Sequence, residues 1–105
     1  MSAVLRMAFA VALIFVAGNV ARGQGNPAFG QYLSSECVTC HQITGQYQGI
    51  PPIVGWPAAV FIDIMNEYRT KKRLNPIMQT IAGQLSANEI AALAAYFGSL
   101  PHRPN

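Results

Sequence analysis

Both cysteines of this chain lie in one five-residue segment, Cys37-Val38-Thr39-Cys40-His41. Two thiols three positions apart at the end of a helix lie on one side of the chain. A Cys-x-x-Cys-His segment is the attachment signal for a covalent haem, in which each thiol adds to one vinyl group of the porphyrin. The segment therefore predicts that Cys37 and Cys40 attach one haem, and that His41 binds its iron as an axial ligand.

Three other sites are compatible with cysteines at this spacing. A dithiol redox motif uses Cys-x-x-Cys, but it is expected beside a strand–helix–strand pattern that this sequence lacks. A structural disulfide would suit an exported protein. A zinc site would need His102 to join the segment, although structural zinc motifs normally pair two local clusters. The trailing histidine favours haem over all three, and His102 is predicted to be a solvated tail residue.

The N-terminus has the features of an export signal. Arg6 supplies a positive start, residues 7–16 are apolar and uncharged, and the Ala-Arg-Gly of 21–23 has the small-x-small form of a cleavage site. We predict a cleavable signal peptide over 1–23 and a periplasmic domain over 24–105. The apolar run is short for a membrane span, so no transmembrane segment is expected after cleavage. An uncleaved N-terminal anchor is the alternative.

The predicted cleavage changes what the charge implies. Arg6 and Arg22 leave with the signal, so five basic residues remain against four acidic ones, for a net charge of +1. This balance, with no recognised nucleic-acid motif, argues against nucleic-acid binding. A domain of about 80 residues buries a limited core and often needs a cofactor or staple, which a covalent haem would supply.

The spacing of apolar residues predicts an all-α fold with three main helices and loops around the haem. The helices are expected over 27–36, 58–69 and 86–98. Glycine and proline punctuate 42–57 and 70–84, which are therefore predicted to be irregular. No segment alternates with period two, so no sheet is expected.

Local signals support two of these helices. Ser86 with Glu89 forms a capping box at the start of the last helix, and Leu85 with Ile90 forms a hydrophobic staple. Gly30 lies inside the first helix, where glycine costs about 1 kcal/mol relative to alanine. A close crossing with another helix would justify that cost, and a merely tolerated glycine is the alternative.

An iron that only carries electrons needs a sixth ligand, and methionine is a common partner of an axial histidine. Met65 lies on the apolar face of the helix over 58–69, so packing explains it. Met78 lies in the segment predicted to be irregular and is the predicted ligand, with core packing as its alternative. A six-coordinate iron leaves no open position, so no catalytic residue is expected. His41 should donate its second ring N–H to a carbonyl, and the loop over 49–52 is within reach.

The chain resembles the class I cytochromes c over essentially all of its predicted mature length. Residues 37–41 match the haem motif, 51–55 are similar to the Pro-x-Leu-x-Gly loop of that family, and 75–82 are similar to its axial-methionine segment. The resemblance implies one haem c per chain and assigns the Pro51 carbonyl as the acceptor that orients His41. The run over 85–97 is similar to the family's C-terminal helix, which implies a crossing with the first helix near its glycine.

Within that class, residues 60–69 and the segment leading to Ala82 are similar to the haem subunit of flavocytochrome c sulfide dehydrogenase. This resemblance implies an FAD-containing partner subunit that oxidises sulfide and passes electrons to the haem. Some members carry two haem motifs in tandem, whereas this chain has one. The chain has no dinucleotide-binding glycine pattern, so the flavin would belong to the partner. A free periplasmic carrier that serves other redox proteins is the alternative.

Two surface features bear on the partner. The only cluster of charge comprises Arg69, Lys71, Lys72 and Arg73. It would steer an acidic partner, or it is a solvated helix end where cations suit the helix dipole. Loop apolar residues near the expected haem would either pack on the porphyrin or contact the partner; they are Ile53, Val54, Trp56 and Ile77.

Overall fold

The computed structural model describes residues 25–102, which form an all-α fold. The predicted signal peptide, 1–23, lies outside the described residues. Between residues 25 and 102 there is no strand, which confirms the all-α prediction, and no helix there is long and apolar enough to cross a membrane. The five helices are α1 (Pro27–Leu33), α2 (Ser35–Val38), α3 (Ala58–Arg69), α4 (Pro76–Gly83) and α5 (Ala87–Ser99).

The first predicted helix, 27–36, is divided in two at Ser34. The Ser34 hydroxyl donates to the Gln31 carbonyl oxygen at 2.6 Å, so the side chain competes with the backbone for an acceptor. Winding continues beyond the break, because the Ser34 carbonyl accepts from the amides of Cys37 and Val38 at 2.9 and 3.0 Å. The thiol of Cys37 is therefore carried on α2.

The prediction of an irregular segment over 70–84 is wrong for its second half. Asn75 is the N-cap of α4, and its side-chain oxygen accepts from the Met78 amide at 3.1 Å. Pro76 occupies the first helical position, where its fixed φ suits a helix and its missing N–H costs nothing. Asn75-Pro76 therefore starts a helix and does not interrupt one. Met78 is consequently a helical residue.

The other two helices agree with the prediction. α3 has the predicted bounds, and α5 begins after Ser86. Both bonds of the capping box are present, since the Glu89 amide donates to the Ser86 hydroxyl at 3.1 Å and the Ser86 amide donates to the Glu89 carboxylate at 2.9 Å. α5 ends at Ser99, one residue after the predicted end.

Gly30 is buried where α1 packs along α5, which is the most extensive helix pair of the fold. A Cβ added at Gly30 would overlap the Ala92 carbonyl and lie within 2.7 Å of the Tyr96 Cβ. The predicted close crossing is therefore confirmed, and the absence of a side chain at Gly30 sets the distance between the two helices.

The core joins α3, α4 and α5 to the loop before α3. Phe61 and Phe97 stack with their ring centroids 5.9 Å apart, and Trp56 meets Phe61 edge-on at 6.4 Å. Ile53 and Val54 are buried in this core, so they are not available as a partner contact. The buried apolar residues are Ile53, Val54, Phe61, Met65, Ala82, Ile90, Ala92, Leu93, Ala94 and Phe97.

α3 ends in a Schellman motif in which a lysine takes the place usually held by glycine. The Lys71 amide donates to the Tyr68 carbonyl at 3.1 Å, and the Lys72 amide donates to the Glu67 carbonyl at 2.8 Å. This arrangement places Lys71 in the left-handed region, with φ at +63°.

Replacing Lys71 with glycine is expected to raise the free energy of unfolding by about 1 kcal/mol, because a residue with a Cβ pays roughly that amount for left-handed φ. Guanidinium unfolding of the purified protein measures the change. Lys72→Gly is the matched control: Lys72 has ordinary φ, so glycine there only adds freedom to the unfolded chain and should lower stability. Equal effects of the two substitutions would contradict the prediction.

Candidate functional site

The two cysteines and the histidine of the motif lie on one turn of chain at the end of α2. The Cys37 carbonyl accepts from the Cys40 amide at 3.1 Å and from the His41 amide at 2.8 Å. Cys37 is partly buried and Cys40 is exposed, and both are free thiols. One turn therefore presents two thiols and an imidazole together.

A carbonyl group at the far end of the loop that follows His41 holds its ring. Its Nδ1 lies 2.6 Å from the Pro51 carbonyl oxygen, ten residues further along the chain. A carbonyl can only accept, so Nδ1 must carry the proton and donate. The lone pair of Nε2 is then free to bind a metal, in the arrangement typical of metal-binding histidines. Pro51 is the residue whose carbonyl the family resemblance implies for this contact.

The loop that carries Pro51 is anchored by the residues that follow it. Val54 is 1% exposed in the core. The Gly55 amide donates to the Phe97 carbonyl of α5 at 2.8 Å. Gly55 has a φ of +75°, and a Cβ there would collide with His102, so only glycine fits this crossing. The acceptor for His41 is therefore supported by core packing as well as by the loop itself.

The environment of Cys37 differs from that of a redox-active thiol. Burial, the nearby Glu36 carboxylate and Cys40 together raise the pKa of the Cys37 thiol from 9.0 to about 11, and burial is the largest cause. Catalytic dithiols instead need a lowered pKa, since the thiolate is their nucleophile. Cys37 is a neutral S–H at neutral pH, which argues against the dithiol redox alternative.

The zinc alternative finds no ligand set between residues 25 and 102, where no three His, Cys, Asp or Glu side chains are grouped to hold a metal ion. His102 is exposed, as expected of a tail residue, although its Nδ1 lies 3.4 Å from the Val54 carbonyl. This contact places His102 against the loop at Gly55. It does not group His102 with the two cysteines as a metal site.

The two methionines that follow the motif differ in burial and position. Met65 is 6% exposed within the core on α3, in agreement with its predicted packing role. Met78 is the third residue of α4, is only partly buried, and packs against the edge of the core. Its position is set by the Asn75 cap on its amide. A ligand role for Met78 remains a prediction.

The surface near the motif is more apolar than a solvated loop should be. Ile43, Tyr47 and Ile50, which follow His41 in the loop that leads to Pro51, are 46%, 58% and 39% exposed. Three exposed apolar side chains within eight residues of one loop are more than a solvated loop needs. The apolar faces of a porphyrin would cover such side chains. Sequence reasoning missed these residues, although their apolar character within a polar, glycine-containing loop was a visible signal.

The residues present therefore fit a covalent haem. Two thiols lie one helical turn apart, an imidazole has a free Nε2 and an anchored Nδ1–H, and exposed apolar side chains follow them in the next loop. Thioether formation adds a thiol S–H across a vinyl double bond, so a protonated Cys37 carries the hydrogen that this addition needs.

Comparison with known proteins gives one informative relative. No protein-family model matches this chain. The chain is 34% identical over 83 residues to the thiosulfate dehydrogenase electron acceptor of Stutzerimonas stutzeri (strain A1501). The match covers 76% of this chain and 36% of that protein, so this chain spans about a third of the length of the relative. The similarity relates the chain to a protein whose name describes electron transfer.

Proposed function

We propose that this chain is an exported, monohaem c-type cytochrome of class I that transfers single electrons. The observation that carries the proposal is the hydrogen bond from His41 Nδ1 to the Pro51 carbonyl, which leaves Nε2 for iron on the same turn as two free thiols. When bound, the haem supplies a one-electron iron couple. Cys37 and Cys40 would attach it, and His41 Nε2 would bind its iron.

Met78 is the proposed second axial ligand. It lies at the start of α4, where the Asn75 side chain caps its amide, and its side chain packs on the core while staying partly exposed. Methionine opposite histidine raises the reduction potential and closes the iron to other ligands. The chain by itself then has no catalytic residue, and its function is to accept an electron from one protein and deliver it to another.

The proposed electron donor is a dehydrogenase that oxidises a reduced inorganic sulfur compound. The resemblance of residues 60–82 to the haem subunit of flavocytochrome c sulfide dehydrogenase supports a partner subunit with FAD and sulfide as its substrate. The name of the Stutzerimonas relative supports thiosulfate dehydrogenase as the second candidate. A free periplasmic carrier that serves other redox proteins is the remaining alternative.

Covalent attachment is tested by a paired substitution. In the Cys37→Ser, Cys40→Ser variant, we expect haem staining to disappear after denaturing electrophoresis, because both thioether bonds are lost. Thr39→Ser is the matched control: it lies between the two cysteines and keeps the hydroxyl that donates to the Glu36 carbonyl at 3.2 Å. A wild-type protein without haem absorbance, or a double variant that still stains, would overturn the proposal.

The donor is tested on the protein purified gently from its own host, with visible spectra taken before and after sulfide or thiosulfate. Flavin absorbance with prompt haem reduction by sulfide supports the FAD partner, and two haems should be reduced for each sulfide oxidised by two electrons. Reduction by thiosulfate alone, without flavin, supports the second candidate. No response to either compound would contradict the sulfur-linked donor and leave the free carrier. Mass spectrometry of the same sample tests export, because the mature protein should begin at Gln24.

A further inference from the structure

The last described residues do not extend away from the fold. Residues 98–102, which we name the C-terminal strap, lie against the loop that follows Pro51. The Phe97 carbonyl accepts from the Gly55 amide of the loop at 2.8 Å and from the Leu100 amide of the strap at 3.2 Å. One acceptor near the end of α5 therefore joins the two segments.

Two close approaches extend the contact beyond that carbonyl. A Cβ added at Gly98 would lie 3.0 Å from the Trp56 carbonyl oxygen. A Cβ added at Gly55 would lie 2.5 Å from the His102 Cβ and 2.9 Å from the His102 backbone nitrogen. At both points the loop and the strap approach so closely that no side chain fits between them. The strap is therefore packed against the loop at both of its ends.

We propose that His102 is a positioning residue, which holds the loop through the C-terminal strap so that the Pro51 carbonyl stays on His41, and which thereby tunes the iron couple. The inference rests on the proposed function, since it takes His41 as an iron ligand. His102 acts through the loop and has no role as a ligand itself.

The His102 side chain reaches the loop at a second point. Its Nδ1 lies 3.4 Å from the Val54 carbonyl oxygen, 48 residues earlier in the chain. A carbonyl only accepts, so Nδ1 must carry the proton in this contact. The distance is long for a hydrogen bond, so the contact adds to the packing on Gly55 and does not replace it. His102 therefore touches two consecutive residues of the loop.

Gly55 is the residue of the loop that gains most from such support. Its φ is +75°, and glycine has more backbone freedom to lose than any other residue. The hydrogen bond to Phe97 fixes its amide, and the packing of His102 restricts the rest of the residue. Without His102, Gly55 would reach other conformations at a lower cost in free energy.

A shift at Val54 and Gly55 would be passed on to Pro51, because the chain between them is stiff. The ring of Pro52 fixes its own φ and restricts the residue before it, which is Pro51. Ile53 is buried in the core. Pro51 itself is exposed, so its carbonyl depends on this connection for support.

The Pro51 carbonyl bears on the iron through the His41 ring. A hydrogen bond donated by the outer ring nitrogen makes the imidazole a more basic ligand. A more basic imidazole favours oxidised iron, so a looser loop should favour reduced iron. A looser loop should also let water reach the His41 Nδ1 proton more often.

The test measures two properties of the haem-loaded protein: the solvent exchange rate of the His41 Nδ1 proton, by NMR of the reduced state, and the reduction potential. His102→Gly removes both the donor and the Cβ that packs on Gly55. We expect the Nδ1 proton to exchange about tenfold faster, because local opening of the loop costs less. The one-electron equilibrium should shift about threefold toward reduced iron, which is about 28 mV at 59 mV for each tenfold change.

A conservative variant and a matched control separate positioning from general stability. His102→Asn keeps the Cβ and an N–H the same number of bonds away from it, so both properties should return most of the way to the wild type. Ser99→Ala removes a hydrogen bond from the same strap, in which the Ser99 hydroxyl donates to the Tyr96 carbonyl of α5 at 2.6 Å. It should leave both properties unchanged. Amide protons of α5 near Gly30 should exchange at the wild-type rate in every variant.

Several outcomes would overturn the inference, and they are distinguishable. A His102→Gly protein that matches the wild type in both properties would show that His102 does not position the loop. Equal changes in Ser99→Ala, or faster exchange of the α5 amides together with the Nδ1 proton, would mean a general loss of stability. A His102→Asn protein no closer to the wild type than His102→Gly would also reject the assignment. In each case a wild-type haem couple would still support the proposed function, whereas its absence would reject both.

Discussion

Replacing Met78 with alanine is expected to lower the reduction potential by on the order of 0.2 V, a quarter of the roughly 0.8 V range that axial ligands span. As the proposed ligand, the Met78 thioether would favour reduced iron, and its removal would leave water or a weaker ligand in its place. The variant should also bind added imidazole or carbon monoxide, because the iron is no longer closed. Potentiometric titration and visible spectra of the haem-loaded variant measure both effects.

Met65→Leu is the control for that experiment. Met65 lies in the core on α3, and a swap of similar volume costs less than about 1.5 kcal/mol without touching the iron. Its potential and spectrum should stay those of the wild type. If Met78→Ala left the reduction potential unchanged while Met65→Leu altered the spectrum, Met65 and not Met78 would be the iron ligand.

Gly30→Ala is expected to lower the free energy of unfolding by about 3 kcal/mol, at the upper end of the cost of overpacking. The added methyl group would meet the Ala92 carbonyl, which is backbone and has no rotamer through which to move aside. α1 would have to shift away from α5, and the segment that carries Cys37 follows α1 directly. Denaturant unfolding of the haem-loaded protein measures the loss.

Gly83→Ala provides the matched control. Gly83 is the last residue of α4, and a Cβ there would meet nothing within 4 Å. Alanine should therefore be neutral or raise stability by up to about 1 kcal/mol, through its better helix propensity. If Gly30→Ala were as stable as the wild type, α1 could move away from α5 with no loss of free energy of unfolding. That result would contradict the prediction.

Features that depend on residues close in sequence could be predicted. The capping box of Ser86 and Glu89 joins residues three apart, and the bounds of α3 follow from its apolar spacing and Pro57. The start of α4 also depends on neighbouring residues, but an Asn-Pro pair is compatible with either a turn or a capped helix. A helix forms where the apolar residues that follow can be buried in a core, and Ala82 is buried in this way.

The candidate site divides in the same way. The spacing of Cys37, Cys40 and His41 by itself indicated haem attachment, because attachment and ligation need residues on one turn. The contact of His41 with Pro51 was implied by family resemblance and not by spacing, since it spans ten residues of glycine-rich loop. The loop conformation depends on Gly55 and Val54 meeting α5, which is a tertiary event.

The sequence alone determined the helical class, because apolar spacing along a helix is short-range geometry. It predicted haem attachment from the spacing of the motif, and it left Gly30 open between a close crossing and a tolerated glycine, which the packing of α1 on α5 resolved. Only the tertiary structure decided that Ile53 and Val54 are core, that Met78 is helical, and that Leu74 and Ile77 face solvent. Burial of an apolar residue depends on which distant elements pack against it, and no local pattern contains that information.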